Sequence, residues 1–423
     1  MGFGSWKWSL FALVAGCTAL GKIGPVSHDA GRNNGTTVGS TGVGPGGGSG
    51  TGGTGSGTGG VVQPPPPTDH ACSALGTPGE WENITPAGVI TTHSIVADPF
   101  DSGTIWLGTA PDGLGANPAH GNGGLYKSTN CGAASSWTHV STGANGTEVD
   151  KSWMWSMIVD PTDKGTVYVI GAYGPQGLWK STNGGVDWVQ LFPATSEFAK
   201  TVPYNFVGSI TMDPSDHLHL MVGTHGNCAA PYMPSCVAES TNGGTSWKIV
   251  NMPGSGWEEQ TGPYLLNASS FLYASLFNGM TLFDNHGASY VDVTPSGVQG
   301  ATGGEYTHRP LYPAADGTYY LPSYNQGGLL RSTDGGRTWS RVSGSPAGSY
   351  LLGIALGSDR IFLGDSRSNT YSMAYLSDLS KWQTLKAPPA PQGLGPSYLE
   401  YDEAHHLLYS SNFEGLAWRM VVP

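Results

Sequence analysis

The chain has 423 residues, a formal net charge of −12, 66 glycines, 30 prolines and only 11% charged residues. Phosphate backbones and anionic membrane surfaces are held by basic faces, and no basic cluster is visible here, so nucleic acid and direct lipid-surface binding are excluded as main partnerships. Abundant glycine and proline without any helix-period run point to many short strands joined by turns.

The amino-terminal segment comes first. Lys7 precedes a short apolar run, residues 9–15, that ends in Val14-Ala15-Gly16-Cys17. The run is too short to span a bilayer. It resembles the bacterial lipoprotein signal and its lipobox, which implies removal of residues 1–16 and lipidation of Cys17. In lipoproteins of this type Thr18 after the cysteine implies the outer membrane, if the source is Gram-negative. An ordinary secretory signal with an incidental cysteine is the alternative. Residues 35–60 are nearly all Gly, Ser and Thr, and four prolines follow at 64–67. Residues 17–71 therefore read as a disordered tether, with a reach of roughly 40 Å and no core-forming surface. The membrane is met only through the lipid, and the folded part, residues 72–423, stands in the periplasm or outside the cell.

That folded part begins with Trp81-Glu82-Asn83-Ile84, a strand with no partner before it. A turn of the form Ser-Thr-Asn/Asp-Gly-Gly-x-x-Trp then recurs from Ser181 to Trp188, Ser240 to Trp247 and Ser332 to Trp339, with a stretched copy from Ser128 to Trp137. The Asn or Asp side chain closes a tight turn on its own backbone, glycine takes the positive φ angles, and Trp anchors the strand that follows. Relaxing the pattern gives seven aromatic anchors: Trp81, Trp137, Trp188, Trp247, Tyr290, Trp339 and Trp382. Their spacing of roughly 40–60 residues is that of propeller blades.

One unit reads as an inner strand ending at Val159-Asp160-Pro161, a second strand over 166–170, a third over 177–180 and an outer one over 188–191. "Asp-Pro" returns at Asp98-Pro99 and Asp213-Pro214. Around Tyr290 and Trp382 the turn has decayed, with Phe283 in place of Ser and Leu379 in place of Gly. Residues 398–423 supply three strands, so the Trp81 strand completes the last blade. The expected fold is all-β, a single seven-bladed propeller of four-stranded antiparallel blades, closed by the amino-terminal strand so that no edge is left open. Of the five cysteines, four remain after lipidation. Cys228 with Cys236 within one insertion and Cys72 with Cys131 across the ring's seam are the expected bridges, with free or alternatively paired thiols as the other reading.

The repeated turns resemble the Asp-box, or BNR, repeat of sialidases, sortilin-type propellers and xyloglucanases, over residues 73–423. In that family the box lies on the rim opposite the active face, which implies that its residues are structural and that chemistry belongs to the other loops. Those loops carry His93; Trp153 and Trp155; Tyr204 and Asn205; Trp257, Glu258 and Glu259; Glu305, Tyr306, His308 and Arg309; and Tyr398. A second set carries Asp112 and His120, His225, Tyr324 and Asn325, Asp365 and Arg367, and Glu414. Aromatic faces beside carboxylates and amides suit sugar recognition, and packing of the same rings between blades is the competing reading.

The sialidase resemblance implies three arginines gripping the substrate carboxylate, but only Arg309 and Arg367 stand clearly on this face and the Phe/Tyr-Arg-Ile-Pro motif is missing, so sialidase chemistry is not expected. Xyloglucanases of this type hold paired acids between two propellers, and one propeller here weakens that assignment. Two enzymatic schemes fit. His225 and the Tyr306-Thr307-His308-Arg309 run resemble single-propeller polysaccharide lyases, where a His or Tyr takes the proton beside a uronate that Arg309 or a bound cation neutralises; His93 stands on the same face. The other scheme is hydrolysis by two carboxylates drawn from Glu258, Glu259, Glu305 and Glu414. A non-catalytic, sortilin-like protein-interaction propeller remains the third reading. A Ca²⁺ ion in the central channel is implied by resemblance alone. His217-x-His219 reads as solvated or strand-packed, so no metal ligands are assigned, and a monomer is expected.

Overall fold

The computed structural model describes Thr68–Asp69 and residues 72–423, apart from 112–120, 193–199, 203–206, 253–261, 276–278, 299–310, 312, 324–326, 349–350 and 390–394. It is a seven-bladed propeller of antiparallel blades with almost no helix. Blade 1 runs Thr91–Ala97, Ile105–Ala110, Leu125–Ser128 and Trp137–His139 from inner to outer strand. Blade 2 runs Met154–Val159, Val167–Gly171, Gly177–Ser181 and Val189–Gln190, each within a residue or two of the strand expected from the sequence. Blades 3, 4 and 6 begin at Val207–Asp213, Gly262–Leu265 and Leu351–Leu356 and repeat that order. Blade 5 has three described strands.

Blade 7 closes the ring. Its strands Pro396–Asp402, Leu407–Asn412 and Ala417–Val421 are followed in space by Trp81–Asn83, with Trp81 opposite Met420 and Asn83 opposite Trp418. Arg419 fastens this seam although it is only 1% exposed. Its Nε donates to Glu82 Oε2 at 2.8 Å, and its guanidinium donates to the carbonyls of Cys131 at 2.7 Å and Ala74 at 2.9 Å. A buried guanidinium is tolerable only with donors so matched. Cys72 and Cys131 are joined across the same seam, with Cα atoms 5.5 Å apart, and Cys228 is joined to Cys236.

The repeated turns follow one hydrogen-bond scheme. Ser181 Oγ accepts from Gly185 N, Asn183 Oδ1 accepts from Asp187 N, and Trp188 Nε1 donates to Gly185 O, each at 2.9 Å. Blades 3 and 5 repeat it through Ser240 and Trp247, and through Ser332 and Trp339. In blade 6, Trp382 Nε1 still donates to Leu379 O at 2.8 Å, so the indole bond outlasts the glycine.

Candidate functional site

The loops opposite these turns converge on a buried aromatic wedge spanning blades 7, 1, 2 and 3. His93 lies on the inner strand of blade 1, Trp153 and Trp155 at the start of blade 2, and Tyr173 after its second strand. His225 follows the second strand of blade 3, and Phe413 that of blade 7. The His93 ring sits 5.1 Å from Trp153, 6.4 Å from Trp155 and 5.5 Å from Phe413. Trp155 meets the edge of His225 at 5.1 Å, so its indole stands between the two histidines. Tyr173 Oη and His225 Nε2 lie 3.4 Å apart.

These side chains are packed rather than presented. His93 is fully enclosed, and neither ring nitrogen has a hydrogen-bond partner among the described residues. Burial in this apolar setting lowers its pKa to about 3, so at neutral pH it is an uncharged ring. Trp153 and Trp155 are 4% and 2% exposed and pack against His93 and Tyr173, which leaves little of either indole open to a ligand. Tyr173 and Phe413 were not singled out from the sequence. Each sits in a hairpin whose position only the ring reveals, and no short motif marks them.

Glu414 and Asp365 are the carboxylates that the sequence placed on this face and that lie among the described residues; Glu414 is the more exposed of the two. It tips the hairpin between the second and third strands of blade 7, at φ +54. Phe413 N donates to Gly395 O at 3.3 Å, tying the hairpin to the start of its own blade, and Thr92 N donates to Gly415 O at 2.9 Å, holding it against blade 1. The Glu414 side chain is half-buried with no partner among the described residues, and burial raises its pKa above the ordinary carboxylic value. Asp365 is buried and its Oδ1 accepts the backbone N–H groups of Arg367 and Ser368, while the Arg367 side chain is exposed. Tyr204, Asn205, Trp257, Glu258, Glu259, Glu305, Tyr306, His308, Arg309, Tyr324 and Asn325 lie outside the described residues, as do Asp112, His120 and Cys17.

A cleft of about 750 Å³ follows the flank of blade 1, lined among others by Asn122, Tyr126, Trp137, His139, Asp150 and Lys151. Burial raises the Asp150 carboxyl, against the lowering effect of its bonds to Ser141 and His139. Ser141, His139 and Asp150 are not arranged as a nucleophilic triad. His139 Nε2 meets both Ser141 Oγ at 3.1 Å and Asp150 Oδ2 at 3.0 Å, whereas a triad uses opposite ring nitrogens.

The turn face is built differently, with carboxylates at the ends of inner strands. Asp98 Oδ2 accepts from Trp106 Nε1 at 2.9 Å, Asp160 Oδ2 meets His217 Nδ1 at 2.8 Å, and Asp213 Oδ2 meets His219 Nδ1 at 3.1 Å. Each also caps its own turn through backbone N–H groups. Burial pulls the His219 pKa down, but bonds to Asp213 and Glu239 outweigh it and raise the value to about 9.

No protein-family model matches the chain. It is similar to a xyloglucanase of Hypocrea jecorina, 26% identical over 314 residues that cover 62% of this chain and 34% of that protein. A xyloglucanase of a Paenibacillus species is likewise 26% identical over 296 residues, covering 62% of this chain and 27% of the relative. The chain thus spans about a third of the length of these relatives. Among solved structures, the fold resembles the GH74 xyloglucanase from Xanthomonas campestris, with a TM-score of 0.53, 15% identity, and coverage of 80% of this chain and 53% of that one. It equally resembles YCF48 bound to D1 peptide, with a TM-score of 0.53, 12% identity, and coverage of 83% and 99%.

Proposed function

We propose that this propeller binds and hydrolyses a glycan of the xyloglucan class. The observation that carries the reading is the likeness to xyloglucanases over 62% of the chain. Within this propeller, the carboxylates available for an acid pair lie on the loops of the face opposite the repeated turns. Glu414 supplies the general acid: a carboxyl whose pKa is raised by burial stays protonated closer to neutrality and can donate to a leaving oxygen. Glu258, Glu259 and Glu305 are the candidates for its partner, and Tyr204, Asn205, Trp257, Tyr324 and Asn325 for sugar contacts.

Export and tethering belong to the same reading. Lys7, the apolar run and Cys17 support a lipidated amino terminus, and two disulfides in the propeller suit an oxidising compartment.

The test is incubation of the full chain with xyloglucan, measuring new reducing ends, beside a uronate-containing polysaccharide monitored for ultraviolet-absorbing unsaturated products. Reducing ends from xyloglucan that fall at least roughly 100-fold in Glu414→Gln support the assignment. Unsaturated product from the uronate substrate would instead support the lyase scheme of His225, Tyr306, His308 and Arg309. Absence of both, with no glycan bound on an array, overturns the glycan reading in favour of a protein partner.

A further inference from the structure

The turn face holds one cluster that glycan chemistry does not use. His219 comes from the second strand of blade 3, Glu239 from its third strand, and His286 from the outer hairpin of blade 4. His219 Nε2 lies 3.0 Å from Glu239 Oε1, and His286 Nδ1 lies 2.6 Å from the same oxygen. The three donor atoms all fall within 4.8 Å of one another. A tetrahedral ion with bonds of 2.0–2.2 Å sets its ligand atoms about 3.4 Å apart, so small side-chain shifts would admit one.

Two features make this more than a chance meeting of polar groups. His219 turns its other nitrogen, Nδ1, to the buried Asp213 Oδ2 at 3.1 Å, the outer carboxylate that fixes the ring of a metal-bound histidine. His286, for its part, stands where the turns of blades 2, 3 and 5 have their first glycine, and adopts φ +54 where Gly184, Gly243 and Gly335 take +73, +66 and +73. A non-glycine residue held in the left-handed region is costly, and such outliers gather where a side chain is needed. His219 and Glu239 are 3% and 4% exposed at their side chains and His286 41%, so the cluster is closed on the blade side and open to solvent at the hairpin.

We propose that His219 Nε2, a Glu239 carboxylate oxygen and His286 Nδ1 form a divalent-metal site of the zinc class that ties blade 3 to blade 4, with Asp213 orienting His219. Two imidazoles and one carboxylate are a ligand set for Zn²⁺, and the solvent-open side leaves a position for water. The ion replaces the protons that the two imidazoles direct at Glu239 Oε1, so binding releases protons to buffer. The site is structural and independent of the glycan reading.

The experiment uses the full, tag-free chain, treated with chelator and dialysed, then titrated calorimetrically with ZnCl₂ in buffers of different ionisation enthalpy. One Zn²⁺ per chain, proton release and a raised Tm are expected. His286→Gly restores the glycine of the sister turns, so its metal-free Tm should be unchanged or higher while its zinc affinity falls at least 10-fold. Asp213→Asn should weaken binding roughly 10–100-fold. Failure to bind stoichiometric Zn²⁺, or binding to His286→Gly as tight as to the parent chain, overturns the proposal.

Discussion

The two faces of the ring treat the same side chain in opposite ways. His93 on the loop face and His219 on the turn face are 0% and 2% exposed, yet burial among rings lowers the first to about pKa 3. At His219 two carboxylates overcome burial and raise the pKa to about 9. Burial alone therefore does not decide the charge of a histidine here; its neighbours do. The loop face around His93 is held by apolar and ring packing, and the turn face by carboxylates with saturated hydrogen bonds.

If that contrast is real, removing a ring should damage the loop face most. Trp155→Ala takes away the indole between His93 and His225 and should cost about 3–5 kcal/mol in denaturant unfolding. A cost under about 1 kcal/mol would mean that the wedge does not carry the packing of blades 1–3.

The next effect is acid sensitivity. The folded-state pKa of His93 lies below its ordinary value of 6.5, so the neutral ring contributes stability that is fully present above pH 6.5 and is lost as pH falls towards about 3. By pH 4 the loss should reach about 3 kcal/mol, and the stability difference between the parent chain and His93→Phe should narrow or reverse by that amount. An unchanged difference across this range would place a partner at the ring.

On the turn face, single changes should be milder and local. Gly335 has φ +73 with nothing within 4 Å of an added Cβ, so Gly335→Ala meets no clash and isolates the backbone preference. It should cost about 1–2 kcal/mol by thermal unfolding. The smallest effect is back on the loop face, at Glu414, whose folded pKa is raised by burial. Its contribution is fully present below the ordinary carboxylic range and is lost as pH rises through the raised value. Glu414→Gln should therefore stabilise slightly at neutral pH, and the gain should vanish in acid; a loss of stability at neutral pH would show that the carboxylate has a partner.

Much of the fold was legible because the repeated turn has local causes. Ser181, Asn183 and the paired glycines specify it through bonds within seven residues, so four copies fixed the pattern and the seven aromatic anchors of its relaxed form counted the blades. The closing strand was also legible, since Trp81 to Asn83 lacked earlier partners and the last blade lacked an outer strand. Arg419 was not, because its three acceptors, Glu82, Cys131 and Ala74, are distant in sequence. On the loop face His93, Trp153, Trp155 and His225 were recognisable as residue types, but their burial was not. Whether an indole lies open to a sugar or against another ring depends on hairpins from four blades.

The amino-acid sequence by itself determined the all-β class, the seven-fold repeat and the way the ring closes, because each rests on turn chemistry and strand counting along the chain. Only the tertiary structure decided that the loop-face histidine is neutral and enclosed while a turn-face histidine is flanked by Asp213, Glu239 and, through Glu239, His286. Desolvation and charge pairing act between blades, over distances that no local pattern encodes.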